Sequence, residues 1–117
     1  MSTQFRSILL RKRELELSVT GRKSKKQLPR PVWFVVKEDS VLLLPVAGSS
    51  TQWYKNLLRN PTMKLRGGSS TFVGEANLLT GKADVQEVVK MFTAKYGGKD
   101  MKQYYTTLDV AVQLKLN

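Results

Sequence analysis

The chain contains no cysteine and no histidine. Disulfide frameworks, Cys/His zinc sites, Ser-His-Asp triads and thiolate nucleophiles are therefore excluded, so any redox chemistry has to come from a bound cofactor. Acidic residues are scarce as well: nine Asp and Glu are spread along the sequence, and no carboxylate pair stands out as an acid–base device. Long apolar runs are missing. The longest, Val41 to Val46, falls far short of the ~20 residues that span a bilayer, and no signal-peptide core opens the chain. The expectation is a cytoplasmic protein with no transmembrane segment.

What is present points to a folded, basic protein. A length of 117 residues fits one domain, read here as residues 1–117. Hydrophobic residues make up 41%, with two Trp, four Tyr and four Phe, which supplies the apolar area a core needs. Twenty Lys and Arg against nine acids give a net charge of +11, which favours anionic partners: phosphates, nucleic acid, acidic lipids or carboxylate-rich ligands.

The periodicities outline the elements. Phe5, Ile8 and Leu9 fall at helical spacing within Ser2–Lys12. From Leu15 the period becomes two through Leu17 and Val19, a half-buried strand, and Gly21–Pro31 reads as a polar basic loop. Val32–Val36 and Val41–Val46 form an expected hairpin whose continuous apolar character calls for cover on both faces. Ser49-Ser50-Thr51 opens a short helix that stops at Asn60-Pro61. Thr62–Arg66 and Ser70–Leu78 flank Gly67-Gly68-Ser69 as a second hairpin. Asp84 and Glu87 resemble a capping box before Val85, Val88, Phe92 and Tyr96, and Leu108 to Leu116 alternates as a closing strand. Together these predict a mainly β, α+β fold: a six-stranded antiparallel barrel with two or three short helices.

Two segments carry chemistry. Thr20-Gly21-Arg22-Lys23-Ser24-Lys25-Lys26 sets four cations, a hydroxyl and a turn-forming glycine directly after a strand. It is either a solvated basic loop or an anion cradle in which Arg22 offers a planar fork to a phosphate. Gly48-Ser49-Ser50-Thr51 leads into a helix N-terminus, which either caps that helix or attracts an anion. Trp53 and Tyr54 are candidates for ring contact or for the core, and Tyr96, Tyr104 and Tyr105 for pocket walls.

Read together, these features resemble the deazaflavin-dependent nitroreductase family, a branch of the split-barrel flavin/deazaflavin oxidoreductases related to pyridoxamine phosphate oxidases. The likeness rests on Leu17-Ser18-Val19-Thr20-Gly21-Arg22-Lys23-Ser24, running on to Arg30-Pro31-Val32-Trp33-Phe34-Val35, and on Gln52-Trp53-Tyr54-Lys55-Asn56-Leu57 with Asn60-Pro61. It covers about residues 15 to 116. The resemblance implies a split barrel that binds the 8-hydroxy-5-deazaflavin coenzyme F420, its phosphate and acidic tail held by the basic loop and its ring near the Trp-Tyr helix. It assigns cofactor binding to Arg22, Lys23, Ser24, Lys25, Pro31, Gly48, Ser49, Ser50, Trp53 and Asn56, and a substrate-lining role to Tyr104 and Tyr105. Lys25 stands where the family usually has glycine. The implied activity is hydride transfer from reduced F420 to a quinone, a nitroaromatic or another activated acceptor, by a monomer or homodimer. FMN is the alternative cofactor within the same fold. A non-enzymatic cofactor carrier and a nucleic-acid-binding barrel are the readings from other classes, and the clustering of basic residues at Arg11–Arg13 and Arg22–Lys26 disfavours the last.

Overall fold

In the computed structural model, which describes residues 2–116, the period-two segments pair into two four-stranded antiparallel sheets. In chain order the elements are α1 (Ser2–Leu9), β1 (Glu14–Thr20), β2 (Gln27–Trp33), β3 (Val35–Lys37), β4 (Ser40–Leu43), a 3-10 turn (Gly48–Ser50), α2 (Gln52–Arg59), β5 (Thr62–Gly67), β6 (Ser70–Glu75), β7 (Asn77–Leu79), α3 (Lys82–Tyr96), α4 (Gly98–Tyr104) and β8 (Ala111–Lys115). The first sheet runs β2-β1-β5-β6 and the second β3-β4-β8-β7.

The fold is mixed α+β and mostly β, but the expected six-stranded barrel is corrected to eight strands in two sheets. Two expected strands each bend at a corner and change sheet. Val32–Val36 breaks at the fully buried Phe34, so that β2 joins the first sheet and β3 the second. Ser70–Leu78 breaks at Ala76, whose N–H bonds the Pro61 carbonyl at 2.7 Å, and β7 leaves to pair with β8. Bends of this kind make corners between packed sheets. Strand β2 also claims Gln27–Pro31, which the sequence suggested as loop: it pairs along the whole of β1, with Pro29 opposite Ser18 and Pro31 opposite Glu16.

Burial follows the alternation. Leu15, Leu17 and Val19 of β1 and Met63 and Leu65 of β5 enter a core shared with α1 (Phe5, Leu9) and α2 (Trp53, Leu57). Each such side chain contributes about 1.5–3 kcal/mol over leaving it in water. Strand β4 is buried on both faces, as its apolar run required. Val41 and Leu43 join that core, while Leu42 and Leu44 meet a second cluster under α3 with Val88, Phe92 and Tyr96. The expected capping box is not formed. Gly81 caps α3 without a side chain, and Asp84 sits in the first turn, where the helix dipole favours a carboxylate. Helix α4 was not legible, because GKDMKQY opens on glycine and carries one buried apolar residue, Met101.

Candidate functional site

A groove of about 480 Å³ lies along β2, the outer strand of the first sheet. Arg30, Pro31, Val32 and Trp33 form its β2 wall. Leu44 and Val46, which follow β4, face them together with Thr51 and Trp53 at the start of α2, and the C-terminal end of α4 brings Tyr104 and its cap residue Tyr105. Trp33 is held by its neighbours: its ring stacks on Tyr96 with centroids 4.2 Å apart and planes 6° from parallel, and meets Tyr104 edge-on at 5.4 Å. Tyr96 in turn pins the β2–β3 corner, its hydroxyl accepting the Phe34 N–H at 3.0 Å and donating toward the Arg13 carbonyl at 2.6 Å. Burial pushes the Tyr105 hydroxyl far above the usual tyrosine range, with the neighbouring Tyr96 adding to the rise, so it stays protonated and available as a donor.

Glu14 of β1 also lines the groove, and one polar atom of a lining residue is unmatched. The Nε of Arg30 is buried and has no hydrogen-bond partner among the described residues. Such an atom is costly unless something supplies an acceptor. Arg30 stood within a quoted motif yet received no role in the sequence reading. Its signal is the alternation of β2, where Leu28, Arg30 and Val32 take the less exposed side and Gln27, Pro29 and Pro31 the open one.

The basic loop packs against α2 rather than standing free. Arg22 donates from its backbone N–H (3.1 Å) and its Nη1 (2.7 Å) to the buried Asn56 Oδ1, and from Nη2 to Gln52 Oε1 (2.8 Å). Its fork therefore anchors the loop to the helix that carries Trp53. Lys23, Ser24, Lys25 and Lys26 remain exposed. The Gly21 N–H reaches the Lys26 carbonyl at 2.8 Å, the Ser24 Oγ accepts from the Lys26 N–H, and Lys25 adopts the left-handed backbone that closes the turn.

The 3-10 turn is a third cluster. The Ser49 N–H and Oγ–H donate to the two oxygens of Asp109 at 2.9 and 2.6 Å, which holds that carboxyl below its usual pKa. Gly48 stands at φ +56°, and a Cβ there would lie 2.0 Å from the Asp109 carboxylate. Ser50 is exposed beside them. Of the residues expected from sequence, the structure gathers Pro31, Trp53, Tyr104 and Tyr105 in the groove and bonds Arg22 to Asn56. It leaves Lys23, Ser24 and Lys25 on the exposed loop and places Gly48 and Ser49 against Asp109.

Comparison with known proteins places this arrangement. The family defined as F420H2-dependent quinone reductases matches residues 6–116. The chain belongs to that family. It is accordingly an F420-dependent oxidoreductase. No curated protein matches the sequence. Among solved structures it is similar to an F420-H2 dependent reductase (TM-score 0.69, 19% identity, 89% of this chain and 95% of that one). A candidate 5-nitroimidazole antibiotic resistance protein from Bacteroides thetaiotaomicron is similar as well (TM-score 0.73, 11%, 97% and 78%). So is a candidate pyridoxamine 5'-phosphate oxidase from Listeria innocua (TM-score 0.70, 13%, 96% and 90%). At these identities the structures testify to the shared fold.

The groove suits such a coenzyme. A flat ring system finds aromatic walls in Trp33, Trp53, Tyr104 and Tyr105. An anionic or carbonyl oxygen would satisfy the orphaned Arg30 Nε, and an acidic tail would meet the exposed lysines of the loop that Arg22 fastens to α2.

Proposed function

We propose that this oxidoreductase reduces a flat activated acceptor, a quinone or a nitroaromatic, in the groove between β2 and α4. The observation that carries the reading is an aromatic groove lined by Arg30, whose buried Nε has no partner among the described residues, flanked along α2 by a loop of exposed lysines. Residues 1–117 act as a single cofactor-binding domain. Lys23, Ser24, Lys25 and Lys26 bind the phosphate and acidic tail, and Arg22 positions that loop through Asn56. Arg30 donates to an oxygen of the bound coenzyme. Pro31 and Trp53 line the ring site, and Gly48, Ser49 and Ser50 shape its approach with Asp109. Tyr104 and Tyr105 face the acceptor, and each hydroxyl can donate a hydrogen bond to the carbonyl or nitro oxygen being reduced. When bound and reduced, F420 supplies a hydride.

Calorimetric titration with F420 and with FMN, together with F420H2 oxidation by menadione, tests the assignment. F420 is expected to bind more tightly than FMN, because its acidic tail gives the loop lysines more anionic groups to meet. Lys23→Ala/Lys26→Ala should weaken F420 by on the order of a hundredfold, at ~1.5–3 kcal/mol per charge-assisted contact. Lys90→Ala/Lys102→Ala, on exposed helical positions, should change it little. Equal small losses from both pairs would overturn the loop assignment, and tighter binding of FMN would overturn the preference for the acidic tail.

A further inference from the structure

A second groove, about 430 Å³, lies on the other side of the β2–β3 corner. Its walls are apolar: Leu9 at the end of α1 and Leu10 just after it, Val35 and Val36 from β3, and Met91 and Ala94 from α3. Leu10 is 60% exposed, a large apolar side chain left to water on the rim of this groove. At one end lies the amine of Lys95. Its Nζ donates to the Phe34 carbonyl at 2.7 Å and sits 3.7 Å from the Phe34 ring centroid, a cation–π contact, with no second protein oxygen bonded to it among the described residues.

The charges around that amine are of one sign. Among the described residues the ion pairs Lys37–Glu87 and Arg66–Glu16 do not include it. The charge that acts on it is Arg13, which shares the Tyr96 ring with Lys95 at 5.1 Å from either side chain. Burial first and Arg13 second lower the Lys95 pKa to about 8, the mark of a cation short of a counter-ion. Charges in partly buried places are ordinarily paired. Here the protein supplies an apolar channel, a cation at its end, a second cation behind it, and no carboxylate among the described residues that line it.

We infer that this groove is a binding site for a monomeric long-chain carboxylate, its head on Lys95 and its tail along Leu10, Val36 and Met91. The tail covers the Leu10 side chain, and the head supplies the counter-ion that the amine lacks. The site is separate from the aromatic groove, since Trp33 lines one and Phe34 the other.

Isothermal titration of the full chain with dodecanoate, kept below its micelle concentration, tests the inference. One equivalent should bind, and dodecanol, with the same tail and no charge, should bind at least tenfold more weakly. Lys95→Met should lower dodecanoate affinity at least tenfold, Lys95→Arg should retain it, and Ala94→Trp, which fills the channel from an exposed helical position, should abolish it. Arg30→Gln, in the other groove, should leave it unchanged. No binding to the wild-type chain would overturn the inference. A loss that follows Arg30 and spares Lys95 and Ala94 would place the anion in the aromatic groove. Binding only to anionic phospholipid vesicles would make the surface a membrane contact instead. Melting temperatures of the variants separate a lost site from a lost fold, and Ala94→Trp decides the case if Lys95→Met does not fold.

Discussion

Lys25 closes the basic loop at φ 63°, in the left-handed region that side chains bearing a Cβ enter at a cost of roughly 1–2 kcal/mol. Glycine occupies that region freely but loses about 0.5–1 kcal/mol more in unfolded-chain entropy. Lys25→Gly should therefore stabilise the fold by about 0.5–1 kcal/mol, read as a shift of the denaturation midpoint at constant slope. It should also weaken F420 binding if the Lys25 charge meets the coenzyme, so that stability and affinity move in opposite directions. The position was legible as a departure from the glycine usual in resembling sequences, and the backbone shows that the turn is kept and the strain accepted. Other residues were legible by type but not by partner. Arg22 reads as a phosphate fork from its neighbours, yet its fork is engaged by Gln52 and Asn56, thirty and thirty-four positions away, which no local pattern reveals.

At the scale of elements that pairing is a clamp between the β1–β2 loop and α2. Asn56 is 3% exposed, and its Oδ1 accepts both the backbone N–H and the Nη1 of Arg22. Asn56→Ala removes the acceptor of two donors and should destabilise the protein by about 1–3 kcal/mol. Arg22→Ala should couple to it in a double-mutant cycle, the sum of the single losses exceeding the double loss by roughly 0.5–3 kcal/mol. Additivity would mean that the contact contributes nothing. Elements with a clean period were legible in the sequence: β1, α2 and α3 lie close to their expected bounds, while β8 opens only at Ala111, past the exposed Leu108. Strand β2 was hidden by Pro29 and Pro31, which lack the N–H a ladder uses. The structure accommodates them because β2 is an outer strand and the two prolines, one residue apart, direct their nitrogens to the same unpaired side. With β2 hidden, Arg30 went unassigned, and with α4 hidden, only the tyrosines themselves hinted at the wall they form.

For the molecule as a whole the net charge of +11 makes proton uptake a stability variable, and Lys95 is the residue through which it acts most visibly. Its pKa is about 8 when folded against an ordinary 10.5, because burial and the like charge of Arg13 oppose protonation. Between those values the unfolded chain carries more protons than the folded one, so stability rises with pH across that window. Below pH 8 the opposition to the charged amine is fully present. The tyrosines act in the other direction, since burial raises Tyr96 and Tyr105 in the folded state and ionisation of the unfolded chain near pH 10 then favours unfolding. The rise is therefore cleanest between about pH 8 and 9.5. Urea denaturation at pH 7.5, 8.5 and 9.5 should show the wild-type midpoint climbing, and Lys95→Met, which carries no titrating amine, should stay flat over the same range. Parallel curves for the two proteins would mean that the amine titrates alike in the folded and unfolded chain. That result would also remove the half-buried cation without a counter-ion on which the second groove's preference for a carboxylate depends.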